Sequence, residues 1–165
     1  MPRRGSSARG ALLVATSTSA IVLALAPAAS GTIVPQRAMA GVSLGMSRTQ
    51  VESVAGKPLR VERQHNEFGS LTRFIYPGRV AVDFQGDATV TAVWTTGRKE
   101  RTARGVGVGS TRAQVLRLVS GARCETTDGL FAHCFVGSFE PGKRVTDFIL
   151  SNGRVTRITV GFVID

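Results

Sequence analysis

Gly41-Val42-Ser43-Leu44-Gly45-Met46-Ser47-Arg48-Thr49-Gln50-Val51 returns 64 positions later as Gly105-Val106-Gly107-Val108-Gly109-Ser110-Thr111-Arg112-Ala113-Gln114-Val115, with six of eleven residues identical and Ser47 matched by Thr111. Each copy ends a strand-like run at a glycine turn. Each then places a hydroxyl three residues ahead of a glutamine, Ser47 before Gln50 and Thr111 before Gln114. That spacing is a capping box: the hydroxyl accepts from the third helical N–H while the glutamine reaches back to the cap's own N–H. Two short helices are therefore expected to start at equivalent places.

Outward from the two caps the correspondence continues. The first helix is expected from Ser47 to Ala55, burying Val51, Val54 and Ala55 and stopped by Gly56-Lys57-Pro58. The second runs from Thr111 to about Ser120 over Val115, Leu118 and Val119. After each helix the period falls to two, as in half-buried strands. Strands are expected at Leu59–Arg63, Leu71–Tyr76, Arg79–Gln85 and Val90–Thr96, and again at Arg123–Thr127, Leu130–Val136, Val145–Ser151 and Arg154–Val163. Tyr76-Pro77-Gly78-Arg79 and Asn152-Gly153 supply the turn chemistry. Val82-Asp83-Phe84 lies 64 positions before Thr146-Asp147-Phe148. The expected fold is α+β: two tandem repeats, each a short helical segment on one face of a four-stranded antiparallel sheet, the other face left open for binding.

Residues 1–30 are expected to be a secretory signal, because Arg3, Arg4 and Arg9 precede an apolar run from Ala11 to Ala26 that ends in small residues. Cleavage after Ala28 or after Ser30 fits the pattern. The competing reading, an uncleaved anchor, has to place Thr16, Ser17, Thr18 and Ser19 inside a run shorter than the ~20 residues of a membrane span. No stable membrane insertion is expected once the leader is removed. Residues 31–40 then form an N-terminal tether leading into strand-like structure, 41–99 the first repeat and 100–165 the second.

The chain's formal charge of +10 falls to +7 with the leader gone, 18 basic residues facing 11 acidic ones, and only three of the basic residues are lysine. Such a charge implies attraction to acidic surfaces without specifying a partner. Between the repeats, Gly97-Arg98-Lys99-Glu100-Arg101-Thr102-Ala103-Arg104 reads as a solvated connection or, alternatively, as an anion-contacting patch. No aromatic residues interleave to stack bases, so no nucleic-acid partner is expected. Gly105-Val106-Gly107-Val108-Gly109 before a helix has the look of a phosphate loop, but no lysine follows and no parallel strand is indicated.

Cys124 and Cys134 flank the turn signal Asp128-Gly129, and a disulfide across a hairpin is expected. The alternative, a metal or redox pair, lacks the C-x-x-C spacing and has only His133 nearby. His65 reads as a solvated turn residue and His133 as an exposed hairpin residue. Asp83 and Asp147 are expected to bond a turn or a helix-end N–H. No catalytic residue, metal site or cofactor is assigned, and no enzyme is expected.

The repeated Gly-Met/Ser-Ser/Thr-Arg-x-Gln-Val start, followed by Gly121-Ala122-Arg123-Cys124 and the second cysteine at Cys134, resembles the secreted beta-lactamase inhibitor protein family. That resemblance implies tandem helical segments on four-stranded sheets whose concave surface grips an exported enzyme, a fold shared with small outer-membrane assembly lipoproteins. This chain differs from the family's inhibitors in having no cysteine in its first half and one tyrosine and one tryptophan in all. The leading expectation is an exported, non-enzymatic module that binds another exported protein through its open sheet face. Candidate contacts are Phe74, Tyr76, Arg73, Arg79, Trp94, Phe131 and Phe135, since aromatic and arginine side chains dominate interface hot spots. The alternatives are an inhibitor of a secreted hydrolase such as beta-lactamase, and a cell-envelope structural protein attracted to acidic wall polymers.

Overall fold

The computed structural model of the 165-residue chain describes residues 32–86, 88–127 and 131–164, and of residues 127 and 131 the backbone alone. The leader expected at 1–30 and the Asp128-Gly129 turn lie outside these.

Both capping boxes form. Ser47 Oγ accepts from the Gln50 N–H at 3.3 Å and Gln50 Oε1 from the Ser47 N–H at 2.8 Å, opening helix α1 (Arg48–Ala55). Thr111 and Gln114 do the same at 3.2 and 2.8 Å for α2 (Arg112–Leu118). Gly56 closes α1 at φ 78°, its N–H bonded to the Glu52 carbonyl. Val51 and Val115 are wholly buried, but Val54 is 52% exposed, so α1 meets the core along one narrow line.

Three two-residue strands, β1 (Ile33–Val34), β2 (Ala38–Met39) and β3 (Val42–Ser43), form a small antiparallel sheet before α1. Ile33, Met39 and Val42 belong to the core, and the Ile33 N–H bonds the Arg101 carbonyl. The stretch read as a tether thus packs as structure.

Eight longer strands follow: β4 (Arg60–Asn66), β5 (Gly69–Tyr76), β6 (Val80–Gln85) and β7 (Ala92–Thr95), then β8 (Arg123–Thr127), β9 (Phe131–Gly137), β10 (Arg144–Ser151) and β11 (Arg154–Phe162). His65, expected in a turn, lies within β4. All eight join one antiparallel sheet in the order β4-β5-β6-β7-β11-β10-β9-β8. The expected architecture of two repeats, each a helix on its own four-stranded sheet, is therefore corrected to a mostly-β chain built on a single eight-stranded sheet plus a three-stranded one. The cause is edge pairing. β7 and β11 satisfy each other's backbone groups from Ile158↔Thr95 to Gly161↔Ala92, removing two edges that would otherwise stand open.

One sheet face carries Phe74, Tyr76, Val82, Phe84, Val93, Phe148, Ile158 and Val160, all buried with Val51 and Val115 of the helices. Phe84 and Phe148 are the largest side chains with no exposure. On the outer hairpin Cys124 and Cys134 lie directly opposite each other and are joined by the expected disulfide. Among the described residues no helix is long and apolar enough to cross a membrane.

Candidate functional site

Because side chains alternate along a strand, the residues between the core positions face away from both helices. Register brings charged ones together there. Arg73 on β5 lies opposite Asp83 on β6, and the guanidinium grips the carboxylate with both arms, Nε to Oδ1 at 2.6 Å and Nη2 to Oδ2 at 2.8 Å. Trp94 on β7 donates its indole N–H to the same Oδ2 at 3.2 Å. Two guanidinium groups lie over the Trp94 ring, Arg73 at 5.1 Å and Arg157 of β11 at 4.1 Å from its centroid, the geometry of a cation–π contact.

Arg73 and Arg157 differ in what holds them. The hydrogen bond to Asp83 raises the Arg73 pKa above the ordinary arginine value, against the opposing effect of burial. Burial pulls that of Arg157 below it, Asp83 and Asp147 opposing and Arg73 reinforcing the shift. The Arg157 Nε is buried and has no acceptor among the described residues. Two guanidinium groups over one tryptophan ring in the middle of a sheet face make a cationic, aromatic patch of the kind that meets carboxylate-bearing surfaces.

Across the β7–β11 junction the same face is aromatic. His133 Nδ1 on β9 and Asp147 Oδ1 on β10 share a hydrogen bond of 2.9 Å, with both side chains largely covered. Burial raises the Asp147 carboxyl above the ordinary aspartate value, while its bond to His133 and the charges of His133 and Arg157 pull the other way. Phe139, from the β9–β10 connection, lies against Phe135 at 5.0 Å and His133 at 5.4 Å. Arg123 sits 4.9 Å over the Phe135 ring while donating to the Gly137 carbonyl. Phe139 stays 46% exposed, so the face ends in an accessible ring.

The sequence-derived candidates separate by strand parity. Arg73, Trp94 and Phe135 share the open face. Phe74 and Tyr76 belong to the opposite one: the Phe74 ring packs on Phe84 at 4.9 Å, and the Tyr76 hydroxyl donates to the Gly56 carbonyl. Arg79 is exposed at a 3-10 turn (Pro77–Arg79) with φ 63°, at the sheet's end. Phe131 opens β9, and its side chain lies outside the described residues. Ser47, Gln50, Thr111 and Gln114 cap helices on the covered side. His133, expected to be exposed, is buried beneath Phe139. Asp83 and Asp147 bond side chains across strands, Arg73 and His133 respectively, instead of turns or helix ends. Sequence reasoning passed over Arg157 and Phe139 altogether; the parity of β11 relative to Ile158 was the available signal for Arg157.

No protein-family model matches the chain, and no curated protein does. Among solved structures it is similar to an extracellular protein containing an SCP domain from Bacillus anthracis, with 11% identity over 72% of this chain and 44% of that one, TM-score 0.48. A cysteine-rich secretory protein from Staphylococcus aureus shares 13% identity over 72% and 44% of the two chains, TM-score 0.44. A DUF4309 family protein from Bacillus subtilis shares 16% over 80% and 88%, TM-score 0.44. The match thus spans less than half the length of the first two.

Proposed function

We propose that this chain is an exported, non-enzymatic module that binds a protein partner through the open face of its eight-stranded sheet. The observation that carries the reading is Trp94 on the open face, with the Arg73 and Arg157 guanidinium groups over its ring. Tryptophan and arginine in a partly desolvated cluster are the residue types on which interface energy concentrates. Export is supported by the Cys124–Cys134 bond, because disulfides persist in oxidising compartments, together with the leader pattern at 1–30.

The test is a pull-down from culture medium using the purified protein and its Trp94→Ala and Arg157→Ala variants. A stoichiometric partner recovered by the unaltered protein and lost with either variant is expected. A partner retained equally by all three places the binding surface elsewhere. A narrower alternative, that the partner is an exported hydrolase such as a beta-lactamase, is supported only by the likeness of Ser47–Val51 and Thr111–Cys134 to secreted beta-lactamase inhibitors. Titration against a panel of such enzymes checks this, and undiminished rates at micromolar excess would remove the hydrolase reading.

A further inference from the structure

The segment read as a solvated connection is partly buried: Glu100 and Thr102 are 4% and 7% exposed. Its arginines point elsewhere. Arg98, Arg101 and Arg154 line a cleft of 420 Å³ at the end of the sheet where the β10–β11 turn meets residues 105–110. An adjoining cleft of 480 Å³ shares Arg98 and Arg154 and adds Arg79. Neither cleft is lined by an acidic side chain, and Glu100 lines a separate pocket.

The arginines are held in position by the glycine loop. Arg101 donates to the Gly105 and Val108 carbonyls at 3.2 and 3.3 Å, and Arg154 to that of Gly109 at 3.0 Å. A Cβ at residue 107 would come within 2.9 Å of Arg101 Cδ and 2.6 Å of the Glu100 carbonyl oxygen, so Gly107 is what lets the arginine lie across the loop. Each guanidinium has more N–H donors than these bonds use. Arg98 is exposed and makes no hydrogen bond or ion pair among the described residues.

We propose that the two clefts together bind a linear phosphate polymer. The reasons are the number of arginines, the absence of an acidic side chain from either lining, and two adjoining clefts that share Arg98 and Arg154 and so offer more than one anion position; arginine's planar fork matches phosphate oxygens. This site is separate from the Trp94 face and does not depend on the reading given for that face.

Calorimetric titration of the purified protein with tripolyphosphate, and separately with a polyol-phosphate polymer, tests the proposal. At least one is expected to bind saturably at low salt and to weaken as salt rises, through release of the anion's counterions. The stronger of the two identifies the source as free polyphosphate or polymer of the wall type. Arg98→Ala combined with Arg154→Ala should lower affinity about tenfold or more, and Arg60→Ala with Arg63→Ala on β4 should not. If loss of the Arg154 bond unsettles the fold, as a melt would reveal, Arg98→Ala alone carries the test, since that side chain holds nothing in place. Absence of saturable binding to either anion, or equal loss in the β4 variant, overturns the proposal.

Discussion

Asp83 accepts three hydrogen bonds, two from Arg73 and one from Trp94, on a side chain that is 13% exposed. Replacing it with alanine leaves three N–H donors, on two part-buried side chains, without their acceptor. Asp83→Ala is expected to cost about 1–3 kcal/mol in urea unfolding, whereas Trp94→Ala removes one donor together with its ring and should spare the Arg73–Asp83 pair. Asp147 acts in the opposite sense. Its folded pKa is raised above the unfolded value, chiefly by burial, so its contribution is most favourable below the ordinary aspartate range and is lost as pH rises through the folded value. Asp147→Asn keeps an acceptor for His133 and has no charge to bury. The stability of the unaltered protein relative to this variant should therefore fall as pH rises above the ordinary aspartate range, measured by thermal melts; a difference that grew with pH would show that the His133 bond outweighs burial.

At the scale of the element, the two helices are short and depend on their starts. Ser47→Ala and Thr111→Ala each remove one half of a capping box and should cost about 1 kcal/mol apiece, adding nearly independently in the double variant. The loop before α2 is constrained differently. Gly107→Ala drives a methyl into the Glu100 carbonyl and the Arg101 stem, and overpacking of this kind costs about 1–3 kcal/mol. Comparing urea midpoints of Gly107→Ala and Gly105→Ala separates crowding from strain, because a Cβ at residue 105 meets nothing within 4 Å although its φ is 82°. The β8–β9 hairpin relies on the Cys124–Cys134 bond, whose closure of a short loop is worth about 2–3 kcal/mol; reduction should lower the melting temperature accordingly.

For the whole molecule, the β7–β11 pairing makes one sheet of strands contributed by both halves of the chain. Fragments 32–99 and 100–164 expressed separately should each expose a sheet edge and show no cooperative melt. Mixed, they should recover one, and a fragment that melted cooperatively alone would show the junction to be dispensable. The sequence by itself determined the local units: the hydroxyl-to-glutamine spacing settles both helix starts, period-two alternation places all eight long strands, and the cysteine positions across a turn pair the sulfurs. These are short-range signals, decided by backbone hydrogen bonding and side-chain parity within a few residues. Only the tertiary structure decided that β7 meets β11, that Ile33 and Met39 enter the core through two-residue strands too brief to show a period, and that Arg157 lies over Trp94. Those outcomes depend on contacts between residues far apart in the chain, where burial of apolar surface and satisfaction of edge hydrogen bonds act on the assembled sheet and leave no local pattern.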